Sequence, residues 1–420
     1  MVCGSPHMPD DSQYFPPMTI RTGLPAVAVY EDYLLANSQT FVRSQAESLE
    51  RFTPYYVGAR HIPHGLTLPE DRCLILNRGN LAGGVREVLF RFGGIAPGLM
   101  RKLRQLQPVL VHAHFGPDGL NGVTLARALK VPLIVTHHGY DVTTKAEFPI
   151  SRWHKRYLRK RPFLQRNANL FLAVSQYIKG RLVEQGFPES RVRVHYVGVD
   201  TAKFKPTAPH ERDQVVLFVG RLVENKGCSF LLRAMHRVKQ LCPNTRLAII
   251  GDGPLRQQLE AEAAVLMPEG CSFLGEQAPD AVRHWMGRAR VFCVPCITSR
   301  TGVSEAFGLV FIEAQAMGLP VVSFANGGVP EAVADHETGF LSPAEDVEHL
   351  AGSLVRLLQD SSLWNRFSEA GVDRVRTRFD LSAQSNELEK LYDQVVAEYG
   401  KQSEASAPLP VGRGASANSI

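Results

Sequence analysis

No run approaching the about 20 consecutive apolar residues needed to span a bilayer occurs in this 420-residue chain. It also lacks a basic segment followed by an apolar run and a small-residue cleavage site, so no export leader is expected. Cysteine is sparse and odd in number: Cys3, Cys73, Cys228, Cys242, Cys271, Cys293 and Cys296 are scattered along the chain. That argues against a disulfide framework and for a reducing compartment. A cytoplasmic protein is expected, at most peripheral on the inner face of the membrane. A complete Gly-x-Gly-x-x-Gly is missing too. GDGPLR at Gly251–Arg256 follows a strand pattern but has no third glycine and no acidic ribose ligand beyond it, which speaks against a dehydrogenase. No short-period repeat is visible, and no recognised nucleic-acid motif, so nucleic acid is not an expected partner.

The hydrophobic fraction of 44% over this length is enough for two domains with separate cores. Charge divides them. Residues 1–200 hold 25 Lys/Arg against 15 Asp/Glu, whereas 201–420 hold 22 against 26, so the halves carry +10 and −4. The basic half is expected to meet something anionic, a membrane surface or a phosphate-bearing acceptor. Within it, Arg152–Arg166 (RWHKRYLRKRPFLQR) sets seven Lys/Arg among Trp153, Tyr157, Leu158, Phe163 and Leu164. Two readings stay open there: an amphipathic helix on an anionic membrane, or a solvated helix with its apolar side against the core.

Short β-branched runs alternate with helix-length segments along both halves. PAVAVY, VLVHAHF, PLIVTHH and LFLAVS mark the first, and QVVLFVG, RLAIIGDG, RVFCVPC and LPVVSFA the second. Fully apolar short strands of this kind indicate parallel sheets covered on both faces. The fold class expected is α/β, with two doubly wound Rossmann-like domains facing each other across a cleft. Pro-containing polar sequence near Gly198–Pro209 marks the boundary. Domains are expected at 21–205 and 206–380, a further helix at 381–400 packing back on the first domain, and disordered tails at 1–20 and 401–420.

Ligands of open parallel sheets sit beyond the carboxyl ends of the strands, so the loops there carry the chemistry. GRLVENKG, Gly220 to Gly227, places Arg221 and Lys226 on a Gly-flanked loop, where a fork-shaped and a compact cation can hold a diphosphate. After the strand near Val291 comes CITSRTGVSEAFGLVFIEAQAMGLPVV, with Glu305 and Glu313 eight positions apart. A helix starting near Phe307 or Gly308 would offer free N–H groups to a phosphate, with Gly308 allowing close approach. Glu313, one turn further, can accept hydrogen bonds from the two hydroxyls of a ribose, and Glu305 can reach hydroxyls of a sugar.

These stretches resemble the retaining GT-B glycosyltransferases of family 4. SEAFGLVFIEAQAMGLPVV is similar to that family's two glutamates separated by seven residues, GRLVENKG to its phosphate-contacting loop, and NGGVPEAVADHETGFL to its following Gly-rich turn and strand. VTHHGYD, Val135 to Asp141, resembles its strand ending in a histidine, and YVGVD with TAKFKP its interdomain stretch. The resemblance implies that Arg221 and Lys226, beside Gly220, bind the donor diphosphate, and that the backbone of Phe307, Gly308 and Leu309 faces phosphate or sugar. It further implies that Glu305 and His138 meet the donor sugar and Glu313 the ribose. The family's Gly-rich loop after the first strand is replaced by EDYLLANSQTFVRSQ, similar to a subset acting on exopolysaccharides and lipid-linked oligosaccharides; HAHFGPDG, His112 to Gly119, is shared with that subset. A hexosyl transfer from a UDP- or GDP-sugar to a hydroxyl of a glycan or lipid-linked acceptor is implied. It would proceed without metal or other cofactor, by attack on the face from which the nucleotide leaves, so no metal ligands are expected.

Other chemistries are open to some of these residues. His112, His114, His137, His138 and Asp141 fall close together on strand ends and offer a metal-dependent hydrolase. Cys293 and Cys296 form a lone C-x-x-C, better read as buried strand residues than as a zinc site. A sugar-binding module without catalysis would not need Glu305 and Lys226.

Overall fold

The computed structural model describes residues 23–36, 39–63, 65–148, 151–206 and 212–405. Most of the two expected tails, and the segment 207–211 next to the expected boundary, lie outside the described residues. The first sheet is built from β1 (Ala26–Leu34), β2 (Thr53–His61), β3 (Cys73–Asn77), β4 (Leu110–His114), β5 (Leu133–His137), β6 (Leu170–Ala173) and β7 (Val192–Val194). The second contains β8 (Asp213–Val219), β9 (Arg246–Ile250), β10 (Cys271–Phe273), β11 (Ala289–Cys293), β12 (Val321–Phe324) and β13 (Gly339–Ser342). Their orders are β3-β2-β1-β4-β5-β6-β7 and β10-β9-β8-β11-β12-β13, and every pairing is parallel.

Strands β4, β5, β6 and β12 are buried at every position, which follows from helices covering both faces of a parallel sheet. The α/β class and the two doubly wound domains are as the apolar runs predict. In each sheet the strand order reverses once, between β1 and β4 and between β8 and β11. Such a reversal splays the helices apart and leaves a crevice at the carboxyl ends of the two strands.

The last helix, Leu381–Ala405, belongs spatially to the first sheet. The chain crosses back where Val199 pairs with Asp380, with the Val199 N–H donating to Phe379 and the Leu381 N–H to Val199. Leu388, Tyr392 and Val395 then enter the core under β1, β4, β5 and β6, beside Val27, Leu110, Ile134 and Leu172. Tyr392 Oη lies 2.6 Å from His112 Nδ1, and the buried Glu389 carboxylate accepts the N–H groups of Glu50 and Arg51. The helix runs through Ala405, five residues into the expected tail, because KQSEA is made of residues that tolerate helix well.

The helix Arg152–Asn167 resolves its two readings in part. Tyr157 and Leu164 are wholly buried in the core, whereas Phe163 is exposed; Arg152, Lys155, Arg159, Lys160 and Arg166 face out, and Arg156 and Arg161 are half-buried. Among the described residues no helix is long and apolar enough to cross a membrane.

Candidate functional site

The crevice between β8 and β11 gathers the second-half residues singled out above. After β8 the chain turns through Gly220–Gly227, braced by Leu222 N–H to the Asp252 carbonyl and by Ile297 N–H to the Asn225 carbonyl. Gly227 closes the loop at φ 67°, and a Cβ there would lie 1.9 Å from the Pro295 carbonyl oxygen, so only glycine lets the two loops touch. Lys226 is thereby held against Glu305, 79 residues later, as an ion pair. Burial alone would lower the Lys226 ammonium and raise the Glu305 carboxyl. Their mutual attraction overrides it, so Lys226 stays above and Glu305 below the ordinary range. Both are charged at neutral pH.

Arg221 stands exposed close enough for its charge to act on Lys226, and among the described residues no carboxylate pairs with it. With Lys226 and Glu305 cancelling each other, the charge of Arg221 beside them leaves a net positive corner. The helix beyond it starts at Leu309, one residue later than the expected range, because Gly308 at φ 91° is its cap. A Cβ on Gly308 would fall 2.3 Å from the Phe311 ring. The Phe311 N–H is taken by the Gly308 carbonyl at 3.0 Å, and the N–H groups before it have no partner within the helix. Phe307 is buried against Tyr196 and Phe379, so its backbone rather than its ring is offered to a ligand. Leu309 is half-buried. Glu313, also half-buried, sits on the second turn; burial alone pushes its carboxyl up to about 7.

A cavity of about 510 Å³ continues from this corner over Gly227, lined among others by Val223, Phe230, Pro254, Leu255, Ile297 and Arg300. Apolar walls with a few polar groups at its rim suit a flat organic ring.

The first domain closes over the site through the ends of β5 and β6. A Cβ on Gly139 would be 2.7 Å from the Ala306 Cβ, and Lys145 N–H donates to the Thr301 carbonyl at 2.9 Å. His138 therefore borders the loop that carries Glu305. It packs between Phe41 and Phe115, with Nε2 2.9 Å from His114 Nδ1, and burial brings its pKa down to about 3. It is a neutral imidazole, able to exchange a hydrogen bond with a hydroxyl.

The metal-hydrolase reading is corrected by the same region. His112 spends both ring nitrogens on Tyr392 and Thr136, at 2.6 and 2.7 Å. Asp141 is a loop organiser: its carboxylate takes His137 Nδ1 at 2.6 Å and the N–H groups of Gly116 and Gly139 at 2.8 and 3.1 Å. His112, His114, His138 and Asp141 are thus not one donor set, and among the described residues no three His, Cys, Asp or Glu converge to hold a metal. Cys293 and Cys296 are buried free thiols on the strand and just after it.

Three contributors were not read from the sequence. Cys296 Sγ lies 3.7 Å from the Glu305 carboxylate. Ser175 donates to the Ala306 carbonyl at 2.6 Å. Glu331 reaches across to accept the N–H groups of Gln176 and Tyr177, at 2.7 and 2.8 Å, and the Tyr196 hydroxyl at 3.0 Å. Cys296 was in view only as half of the C-x-x-C, Ser175 as the end of LFLAVS, and Glu331 as the acid in NGGVPE.

Comparison with known proteins agrees with this fold. The family model "Glycosyltransferase Family 4" matches residues 64–203 and "Glycosyl transferases group 1" residues 199–374. The amylovoran biosynthesis glycosyltransferase AmsK of Erwinia amylovora is 28% identical over 67% of this chain and 69% of its own length. A GDP-mannose-dependent alpha-(1-6)-phosphatidylinositol monomannoside mannosyltransferase of Mycolicibacterium smegmatis is 31% identical over 58% and 65%. The matched stretch spans 61%, 69% and 64% of three of these curated relatives. In fold, the chain is similar to Anabaena Alr3699/HepE, solved in complex with UDP and glucose. The TM-score is 0.70 at 21% identity, covering 88% of this chain and 100% of that one. With two adjoining family models tiled over two doubly wound domains of GT-B type, the chain belongs to the group 1 and family 4 glycosyltransferases.

Proposed function

We propose that the chain is a retaining glycosyltransferase that moves a hexosyl group from a UDP- or GDP-sugar to a hydroxyl of a glycan or lipid-linked glycan. One observation carries this: Arg221, unpaired among the described residues, and Lys226 converge with Glu305 at the β8/β11 switch point, beside the start of the helix Leu309–Ala316. In this reading residues 206–380 hold the donor and residues 21–205 the acceptor. Arg221, Lys226 and the N–H groups of Phe307–Leu309 take the diphosphate, with Gly220 leaving the loop open beside them. Glu313 takes the ribose, and the cavity over Gly227 the base.

Transfer follows from charge. As the bond from the sugar's anomeric carbon to the phosphate oxygen breaks, negative charge grows on the diphosphate, where fixed cations and helix N–H groups already stand. The departing oxygen accepts the acceptor's proton while the acceptor oxygen attacks the same face. Glu305, kept ionised by Lys226, and neutral His138 hold the sugar's hydroxyls. No step requires a metal ion. An anionic membrane surface, met by the outward cations of the helix Arg152–Asn167, is the proposed partner that presents a lipid-linked acceptor. In this reading the protein works in the cytoplasm, peripheral to the membrane.

A screen of nucleotide sugars by donor hydrolysis, with and without chelator, tests the reading. One UDP- or GDP-sugar is expected to turn over at an unchanged rate in chelator. Lys226→Ala is expected to lower kcat about 100-fold or more, the scale of a lost charge-stabilising donor. Turnover abolished by chelator, or untouched in Lys226→Ala, would contradict it.

A further inference from the structure

The helix Leu81–Gly93 is turned inside out. Of its charged residues Glu87 and Arg91 are buried and Arg86 is half-buried, with Glu87 accepting from Arg60 and Asn77 at 2.8 and 2.6 Å and pairing with Arg91 at 3.3 Å. Arg91 also faces Asp32 at 3.6 Å. Outward stand Leu81, Val85, Val88, Leu89 and Phe92, with Ile95 just past the end; Leu81 is 93% exposed and Phe92 71%. At about 100° per residue, Leu81, Val85, Val88 and Phe92 form one stripe. The helix is well fixed: Asn80 caps it through the Gly83 N–H at 2.7 Å, and Gly94 ends it in a left-handed turn. A stable helix that buries its one carboxylate and shows a continuous apolar stripe to solvent has a counterpart elsewhere.

Its surroundings identify the counterpart. The Phe92 ring packs tilted against Trp153 with centroids 5.6 Å apart, and the Arg156 guanidinium donates to the Arg91 carbonyl at 3.1 Å, so the helix Arg152–Asn167 lies alongside. That neighbour carries Arg152, Lys155, Arg159 and Lys160 on its exposed side. The only carboxylate between residues 81 and 95 is the buried Glu87. An apolar stripe bordered by cations and free of exposed acids is complementary to an anionic lipid leaflet, acyl chains against the stripe and phosphates against the cations. The helix also begins directly after β3, at the carboxyl end of the first sheet, so docking there turns the acceptor side of the crevice toward the lipid.

We infer that the outward face of Leu81–Gly93 is a bilayer-docking surface that inserts Leu81, Val85, Val88 and Phe92 into an anionic leaflet. This rests on the proposed anionic membrane partner and specifies how it is met.

Cosedimentation of the full chain with phosphatidylglycerol/phosphatidylcholine vesicles, against phosphatidylcholine alone, tests it. The wild type is expected to sediment with the anionic vesicles, and brominated lipid to quench an emission that Trp153→Phe removes. Leu81→Ser/Phe92→Ser, which changes exposed side chains only, is expected to weaken vesicle binding about tenfold or more with unchanged thermal unfolding and donor hydrolysis. Binding of the double variant equal to wild type overturns insertion and leaves the anionic-surface reading standing. A wild type that ignores anionic vesicles at low salt overturns both. A wild-type dimer in solution that the double variant breaks up also overturns the inference, since the stripe would then meet a second copy.

Discussion

Glu313 combines a proposed binding role with a measurable cost. Its carboxyl titrates near 7 in the folded chain because burial disfavours the charge, and in the ordinary carboxylate range once unfolded. Between those values the folded state binds more protons, so stability falls as pH rises through that window and levels off above about 7. Glu313→Gln is therefore expected to stabilise the unliganded protein by about 1–3 kcal/mol at pH 8 and by less at pH 5, read from denaturant unfolding. In the same variant, nucleotide affinity is expected to fall and to lose its rise between pH 6 and 8. Equal unfolding midpoints at both pH values would show that Glu313 is not buried as described. The residues on either side of this corner were legible as spacings: Arg221 to Lys226 within one loop, Glu305 to Glu313 across one helix start. The Lys226–Glu305 pair was not, since 79 residues of separation carry no contact information without the sheet that closes them. The histidines misled for the converse reason. Their closeness on strand ends was readable, but Tyr392, which engages His112, comes from a helix 280 positions away.

At the scale of elements, most strands covered on both faces announced themselves, although β3 (CLILN), buried throughout, was not among the runs. β4, β5, β6, β9 and β12 fall within the apolar runs, β8 and β11 start one residue before theirs, and β1 runs on four residues past PAVAVY to Leu34. β2 showed no such run, because Pro54 and Gly58 in TPYYVGARH read as turn signals although seven of its nine residues are buried. The three-residue strands β7 and β10 are too short to show a pattern, and both lie at sheet edges. The final helix was legible as a helix, but its partners inside the first core were not. Tyr392 supplies both packing and a polar contact there, so two substitutions should separate them. Tyr392→Phe is expected to cost about 1 kcal/mol, the value of one hydrogen bond, and Tyr392→Ala about 3–5 kcal/mol, that of an aromatic cavity. Equal costs in chemical denaturation would mean that the ring is not packed in the core.

For the whole molecule, the charge asymmetry and the double alternation made two dissimilar domains readable, while the clasp between them was hidden. Glu331 caps the helix Gln176–Glu184 from the opposite domain, one carboxylate taking three donors. Glu331→Ala leaves those donors without it and is expected to loosen closure. The expected result is a lower kcat with higher donor KM, and a larger radius of gyration in solution scattering; unchanged scattering and kinetics would remove Glu331 from the clasp.

The central claim is that the strand tips of the second domain grip the charged linker of a sugar nucleotide. A crystal structure with the nucleoside diphosphate of the preferred donor tests it most directly. The diphosphate is predicted within about 2.7–3.2 Å of Arg221, Lys226 and the N–H groups of Phe307–Leu309, with the ribose on Glu313. A nucleotide bound elsewhere, or one whose phosphates point away from Arg221 and Lys226, would contradict it.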